Sequence, residues 1–338
     1  MIERVLIVGP SWVGDMVMAQ GLFRLLREQR SNLIIDVLAP EWSLPLIARM
    51  PEVTDAIIMP AGHGELKLKL RYQLAKQLRA KNYTQAIVLP NSFKSALIPF
   101  LAKIPKRTGY RGEMRYFLLN DLRYLAEKKH PLMIDRFLAL GLPNNLDLPE
   151  KKYFPKLIIS ETEREQTIKK FQLSIQNKVI LALCPGAEFG AAKRWPEKHY
   201  AEVAKQYVQS GGQVWLFGSA NDREVANKII ELADVDCINL AGKTKLAEAI
   251  DLLSLAKVVV TNDSGLMHIA AALDKPLVAV YGPTSPGFTP PLQIAAKILQ
   301  LSLPCQPCFQ RICPLKHHDC MEKLLPEKVI TALKEISV

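Results

Sequence analysis

Three loops in this sequence hold residues whose types and spacing could do chemistry. The first follows the apolar run Arg4-Val-Leu-Ile-Val and reads Gly9-Pro-Ser-Trp-Val-Gly-Asp15. It sets Asp15 where a buried strand gives way to a helix. A carboxylate at the mouth of a cleft can take a proton from a substrate hydroxyl, the work of a general base. The same position also suits an ordinary helix cap. With glycines at 9 and 14 only, the loop is not the G-x-G-x-x-G of a dinucleotide fold, which speaks against a nicotinamide enzyme.

The second loop reads Cys184-Pro-Gly186-Ala-Glu188-Phe-Gly190-Ala-Ala-Lys193-Arg194-Trp-Pro. Glycines that let backbone amides approach an anion, two cations and a helix start together make a phosphate cradle. A surface loop with solvated cations would read the same way. The G-K-[ST] ending of a P-loop is missing, so hydrolysis of a nucleoside triphosphate is not expected. The third loop, Thr261-Asn-Asp263-Ser264-Gly265-Leu-Met-His268, ends another apolar run. Unsatisfied amides in the helix's first turn, with the Ser264 hydroxyl, could bind a diphosphate. His268 lies one turn in, as a site residue or as a satisfied core histidine. Nearby, 277–281 runs into Gly-Pro-Thr-Ser-Pro, a matching loop at a neighbouring strand end.

These loops need a frame that sets strand ends side by side. Apolar runs at 5–8, 33–38, 56–59 and 86–89 read as strands, with helical patterns at 14–27 and 65–81. A second series runs 178–184, 213–217, 237–240, 258–261 and 276–281, separated by helices at 195–210, 222–232 and 246–255. Such alternation predicts an α/β protein with parallel sheets covered by helices on both faces. The Pro- and Asn-rich stretch 144–155 reads as a linker. The expected organisation is a Rossmann-like domain over 1–155 and a second over 156–325. An amphipathic helix in 326–338 could pack back on the first domain. In such sheets ligands bind beyond the carboxyl ends of the strands, here in a cleft between the two domains.

The chain has 338 residues, 49% of them hydrophobic and 23% charged, enough apolar material for two cores and too much for disorder. It contains no apolar run near the roughly 20 residues of a membrane span and no leader, so a cytoplasmic protein is expected. The net charge is +11. Sixteen basic residues against five acidic ones between positions 64 and 136 account for the whole excess. That concentration implies nucleic acid, a phosphorylated small molecule or an anionic membrane face as partner, unless it is only a solvated surface. The aromatic residues Tyr72, Tyr83, Phe93, Tyr110, Tyr116 and Phe117 are too scattered for an RNA-binding sheet. Cys184 and Cys237 read as buried thiols. Cys305, Cys308, Cys313 and Cys320, with His317 and His318 among them, have spacing that suits zinc, although a peripheral structural loop is preferred.

The chain resembles the bacterial ADP-heptose:lipopolysaccharide heptosyltransferases of glycosyltransferase family 9, of the heptosyltransferase II type. The resemblance spans essentially the whole length. It rests on Gly9-Pro-Ser-Trp-Val-Gly-Asp15, Leu89-Pro-Asn-Ser-Phe-Lys-Ser-Ala, Arg107-Thr-Gly-Tyr-Arg-Gly-Glu-Met-Arg-Tyr, Cys184 to Pro196, and Thr261 to His268. Each is weak alone; all five in order are specific. It implies a GT-B fold of two facing Rossmann-like domains, with acceptor on the first and donor on the second. The implied reaction is an inverting transfer of L-glycero-D-manno-heptose from ADP-heptose to the first inner-core heptose of heptosyl-Kdo2-lipid A, without metal or other cofactor.

In that scheme Asp15 is the base and Lys193 meets the donor phosphates. Gly186, Glu188, Arg194, Gly218, Asp263, Ser264, Gly265 and His268 line the donor site. Ser11, Trp12, Asn91, Lys94, Arg107, Arg111 and Arg115 meet the polyanionic acceptor. Lys103 and Lys106 are assigned to the membrane, giving peripheral association with the cytoplasmic face of the inner membrane, and nucleic acid is not an expected partner. Asp234-Val-Asp236 spells the D-x-D that holds metal in some glycosyltransferases, but at the amino end of a strand it reads as solvated carboxylates. Two alternatives stay open: heptosyltransferase I or a later core heptosyltransferase, and a non-catalytic nucleotide- or nucleic-acid-binding protein.

Overall fold

A computed structural model describes residues 3–59, 62, 65–144, 146–175 and 178–336. Contacts divide the chain into two units, Met1–Leu157 and Ile158–Val338. The first holds strands β1 (Arg4–Val8), β2 (Ile34–Ala39), β3 (Asp55–Ile58), β4 (Gln85–Val88), β5 (Lys106–Tyr110) and β6 (Asp121–Arg123). They form one sheet in the order β3-β2-β1-β4-β5-β6, every pair parallel. The second holds β7 (Ile180–Cys184), β8 (Gln213–Leu216), β9 (Cys237–Asn239), β10 (Val258–Asn262), β11 (Leu277–Tyr281) and β12 (Lys297–Gln300). Its order, β12-β11-β10-β7-β8-β9, is the same arrangement read from the opposite edge, again all parallel.

This is the doubly wound order, in which the strand sequence reverses between the first and fourth strands of each sheet. The reversal falls between β1 and β4 in one unit and between β7 and β10 in the other. Helices on both faces of a sheet leave its central strands without a polar side, so they read as unbroken apolar runs. Val5–Val8 and Val258–Val260 are accordingly almost wholly buried. The Asp15, Lys193 and Asp263 loops leave the sheets at these reversals, where ligands bind in folds of this kind.

Two expectations about organisation need correction. The terminal helix, Pro326–Ile336, packs within its own unit, against β11 and the helix Glu197–Gln209. Its Val329, Ala332 and Leu333 join the core that contains Val278, Val280 and Tyr200. The stretch read as a linker also ends in a bound strap. The Gln20 side chain donates to Lys156 O at 2.7 Å and accepts from Lys156 N at 2.9 Å, while Arg24 donates to Phe154 O. Tyr153 and Leu157 are buried. A strap held by side chains shows no strand or helix period. Among the described residues no helix is long and apolar enough to cross a membrane.

Candidate active site

In the first unit the helix Val13–Gln29 starts directly after the β1 loop, and Asp15 stands in its first turn. The preceding cap residue is Trp12, whose side chain makes no capping bond, so Asp15 is not the cap itself. Ser11 and Trp12 are exposed beside it. Past β4, the exposed Asn91 precedes the helix Phe93–Leu101, and the half-buried Lys94 lies in its first turn. Past β5, Arg111 is exposed, with its guanidinium 5.6 Å from the rings of both Tyr116 and Tyr124.

Two arginines assigned to the acceptor are structural instead. Arg115 has no exposed surface. Its guanidinium donates to Pro90 O, Ser92 O, Ser95 Oγ, Asn91 Oδ1 and Tyr110 O, so it ties the β4 and β5 loops together from beneath. Burial lowers its pKa to about 10, which still leaves it charged near neutrality. Arg107 lies in the amino-terminal half of β5, beside Ala86, rather than at the carboxyl edge. It donates to Ile104 O and Leu118 O and covers the Phe100 ring. Arg115 is out of an acceptor's reach, and the half-buried Arg107 spends its guanidinium on its own loop. Glu113 and Gly112 complete the loop: Glu113 accepts from Phe93 N at 2.9 Å, and any Cβ on Gly112 would collide with Asn91 O.

In the second unit the sheet ends bring the expected cations to defined partners. Lys193 Nζ lies 2.6 Å from Asp263 Oδ2 and 3.4 Å from Asp263 O, and it stands over the Phe189 ring. Both side chains of this pair are largely buried, at 13% and 6% exposure. Asp263 Oδ2 also accepts from Thr284 Oγ1 at 2.6 Å, so Asp263 holds Lys193 and Thr284 holds Asp263. Ser264 is the cap of the helix Gly265–Ala272, but its side chain makes no capping bond. That leaves first-turn amides for an anion. Glu188 is exposed on the neighbouring loop.

Gly186 and Gly218 have a steric role inside the protein. A Cβ on Gly186 would lie 2.5 Å from Asp222 Oδ2, and one on Gly218 2.7 Å from Asp222 Cβ. The glycines make room for Asp222, which accepts from Ser219 N and Oγ and sits 3.6 Å from Arg194. Asp222, Thr284 and Asn262 are the residues that sequence reasoning missed. Asn262, with no exposed surface, donates to Pro185 O and accepts from Trp195 N and the Tyr200 hydroxyl. It thereby locks the Lys193 loop to β10. The signal was present, since Asn262 and Thr284 stand in the loops singled out, but an uncharged residue gives no hint of what it bonds.

His268 is buried next to this pair. Burial lowers its pKa to about 4, against an upward pull from Asp263, and Lys193 adds to the depression. It is therefore neutral near pH 7. The unfolded chain binds this proton below pH about 6.5 whereas the folded one does not. The contribution to stability is thus complete above about 6.5 and is lost as pH falls towards about 4, roughly 3 kcal/mol in all. Urea unfolding at both ends of that window should show the wild type losing about that much more than His268→Gln. Equal losses in the two proteins would contradict this account.

The cysteine-rich loop braces the site from outside. Cys305, Cys308, Cys313 and Cys320 line one small cavity of about 30 Å³, with Ala192 and Pro283 on its wall. The Cys313 thiol is held below its ordinary pKa by the backbone amides of residues 315–318 around it, that of His318 foremost. Burial and the three neighbouring thiols push Cys320 up to about 11. Among the described residues no three or more His, Cys, Asp or Glu side chains are arranged to hold a metal ion. The loop's visible work is mechanical: Ala192 N donates to Arg311 O, Phe309 N to Pro283 O, and the Gln306 amide to Gly282 O. Cys184 is buried as expected, whereas Cys237 is only half-buried. Asp234 and Asp236 are exposed just before β9, away from the carboxyl ends.

Comparison with known proteins identifies the family and the fold. A sequence profile for glycosyltransferase family 9 (heptosyltransferase) matches residues 71–318. The chain is 48% identical over 342 aligned positions to lipopolysaccharide heptosyltransferase 2 of Escherichia coli, covering 98% of both chains. It is 49% identical, with the same coverage, to the Salmonella typhimurium protein of that name. The solved structure of E. coli ADP-heptose lps heptosyltransferase II superposes with a TM-score of 0.88 at 47% identity, covering 99% of this chain and 98% of that one. An E. coli heptosyltransferase solved with ADP, at 20% identity and TM-score 0.73, shares the fold. Profile, identity and backbone agree: this chain is a glycosyltransferase of family 9, the heptosyltransferase family.

Proposed function

We propose that the chain transfers L-glycero-D-manno-heptose from ADP-heptose to the first heptose of the lipopolysaccharide inner core, inverting the anomeric centre. The relatives named heptosyltransferase 2 support the substrates. The observation that carries the mechanism is the buried Lys193, fixed by Asp263 beside an uncapped helix start at the strand ends. The acceptor oxygen attacks the anomeric carbon, its proton passes to Asp15, and the bond to the diphosphate breaks with both electrons going to ADP. Negative charge then grows on the leaving phosphates. Lys193, Arg194 and the Ser264–Gly265 amides would neutralise it, the part a divalent cation plays elsewhere. Fixed donors are effective here because they need no reorganisation as charge develops.

Lys94 and Arg111, with Ser11, Trp12 and Asn91, are the acceptor-facing set on the first unit. A lipid-borne acceptor places the reaction at the cytoplasmic face of the inner membrane, with the chain peripheral to it. Purified protein incubated with ADP-heptose should modify an acceptor bearing one heptose and leave heptose-free Kdo2-lipid A unmodified, and EDTA should not change the rate. Transfer to the heptose-free acceptor would point to the heptosyltransferase I reaction instead. No transfer to any acceptor would overturn the proposal.

A further inference from the structure

We infer that the first unit docks on an anionic lipid bilayer through an aromatic face beside the carboxyl ends of β4, β5 and β6; this deepens the reading above, in which the acceptor is lipid-borne. The face begins on the helix Phe93–Leu101, where Phe93 and Phe100 stand two turns apart. Both rings meet Phe117 edge-on, at 6.3 and 6.1 Å. Phe117 is nevertheless 64% exposed, Met114 79% and Tyr124 71%. Arg111 lies over the rings of Tyr116 and Tyr124 and joins them to the same surface.

Such a patch is unusual on a soluble surface, where large apolar groups are normally scattered singly. Here the fold holds them outward. Arg115, wholly buried, fixes the loop that carries Met114, Tyr116 and Phe117, and Glu113 caps the helix that carries Phe93 and Phe100. The mixture of aromatic, thioether and arginine side chains matches the region between lipid headgroups and acyl chains. Two weak signals, shallow insertion and charge attraction, combine into useful but reversible binding. Of the sixteen basic residues between 64 and 136, Arg71, Arg115 and Arg123 are buried; the other thirteen, against five acidic residues, supply the charge signal. The same excess argues against a second copy as the occupant, since a symmetric contact would set like charges face to face.

The test uses the full chain and vesicles without acceptor. Wild-type protein should sediment with vesicles of phosphatidylethanolamine and phosphatidylglycerol, and far less with phosphatidylethanolamine and phosphatidylcholine. The double variant Met114→Ser/Phe117→Ser should bind the anionic vesicles at least tenfold more weakly while melting as the wild type does. Should it fail to fold, Tyr124→Ser is the substitute, with a smaller loss in the same direction. Leu146→Ser, an exposed apolar residue outside the patch, should bind as the wild type. Wild-type binding by the double variant, equal binding to both vesicle types, or a wild-type dimer that the double variant turns monomeric would each overturn the inference. Transfer to a deacylated acceptor should be unchanged in the double variant. Vesicle binding without heptosyl transfer to any acceptor would sink the proposed function and leave this surface standing.

Discussion

Asp15→Asn should lower the turnover of heptosyl transfer by about 10² to 10⁴, the range spanned by a positioned general base. The asparagine keeps the size and the place in the first turn of Val13–Gln29, so the fold should survive. What it loses is the ability to accept the proton as the new glycosidic bond forms. Donor binding gives the control. The proposed diphosphate contacts, Lys193, Ser264 and Gly265, all belong to the second unit, whereas Asp15 belongs to the first. Calorimetric titration with ADP should therefore give the same affinity for variant and wild type while transfer collapses. Turnover within tenfold of wild type would mean that another group takes the proton. Weakened ADP binding would mean that Asp15 acts on the donor.

How much of this was legible before folding depends on what each residue must do. Central strands such as β1 and β10 could be read because burial on both faces leaves them without polar positions. Strand β5 could not, since it opens on the exposed Lys106 and half-buried Arg107 and only Thr108, Gly109 and Tyr110 are buried. β6 is held through Thr108, whose hydroxyl donates to Asp121 at 2.8 Å, a bond that no apolar pattern reveals. β12 is an edge strand with mostly exposed residues. The site divides in the same way. Asp15, Lys193 and Asp263 were visible because a charge beside a strand end is conspicuous. Arg107 and Arg115 look alike in sequence to Arg111; Arg115 is set apart by burial, and Arg107 by the carbonyls of Ile104 and Leu118 that its guanidinium meets. Gly186 suggested backbone approach to a ligand, but that Gly186 and Gly218 also make room for Asp222 is visible only in the fold.

Lys193 gives the second large effect, and its surroundings decide how it must be tested. Removing one preorganised cation from a developing charge should cost about 10² to 10³ in turnover. Lys193→Met would also strand Asp263, which is 5% exposed and would keep only the Thr284 hydroxyl among its side-chain partners. An uncompensated buried carboxylate destabilises by about 3 to 5 kcal/mol, so a slow single variant could simply be a damaged one. The double variant Lys193→Met/Asp263→Asn separates these effects, because the neutral amide no longer needs a cation. Stability should then return towards the wild-type value while turnover stays depressed by the same two to three orders of magnitude. If turnover returned together with stability, Lys193 would be only a counter-ion for Asp263, and the charge on the departing diphosphate would have to be met by Arg194 and the helix amides. Arg194 is poorly placed to do this alone, because at 3.6 Å it already faces the Asp222 carboxylate. An ammonium that gives one proton to Asp263 Oδ2 and another to Asp263 O keeps the third for a second anion, and the loss of that anion's partner is what the double variant measures.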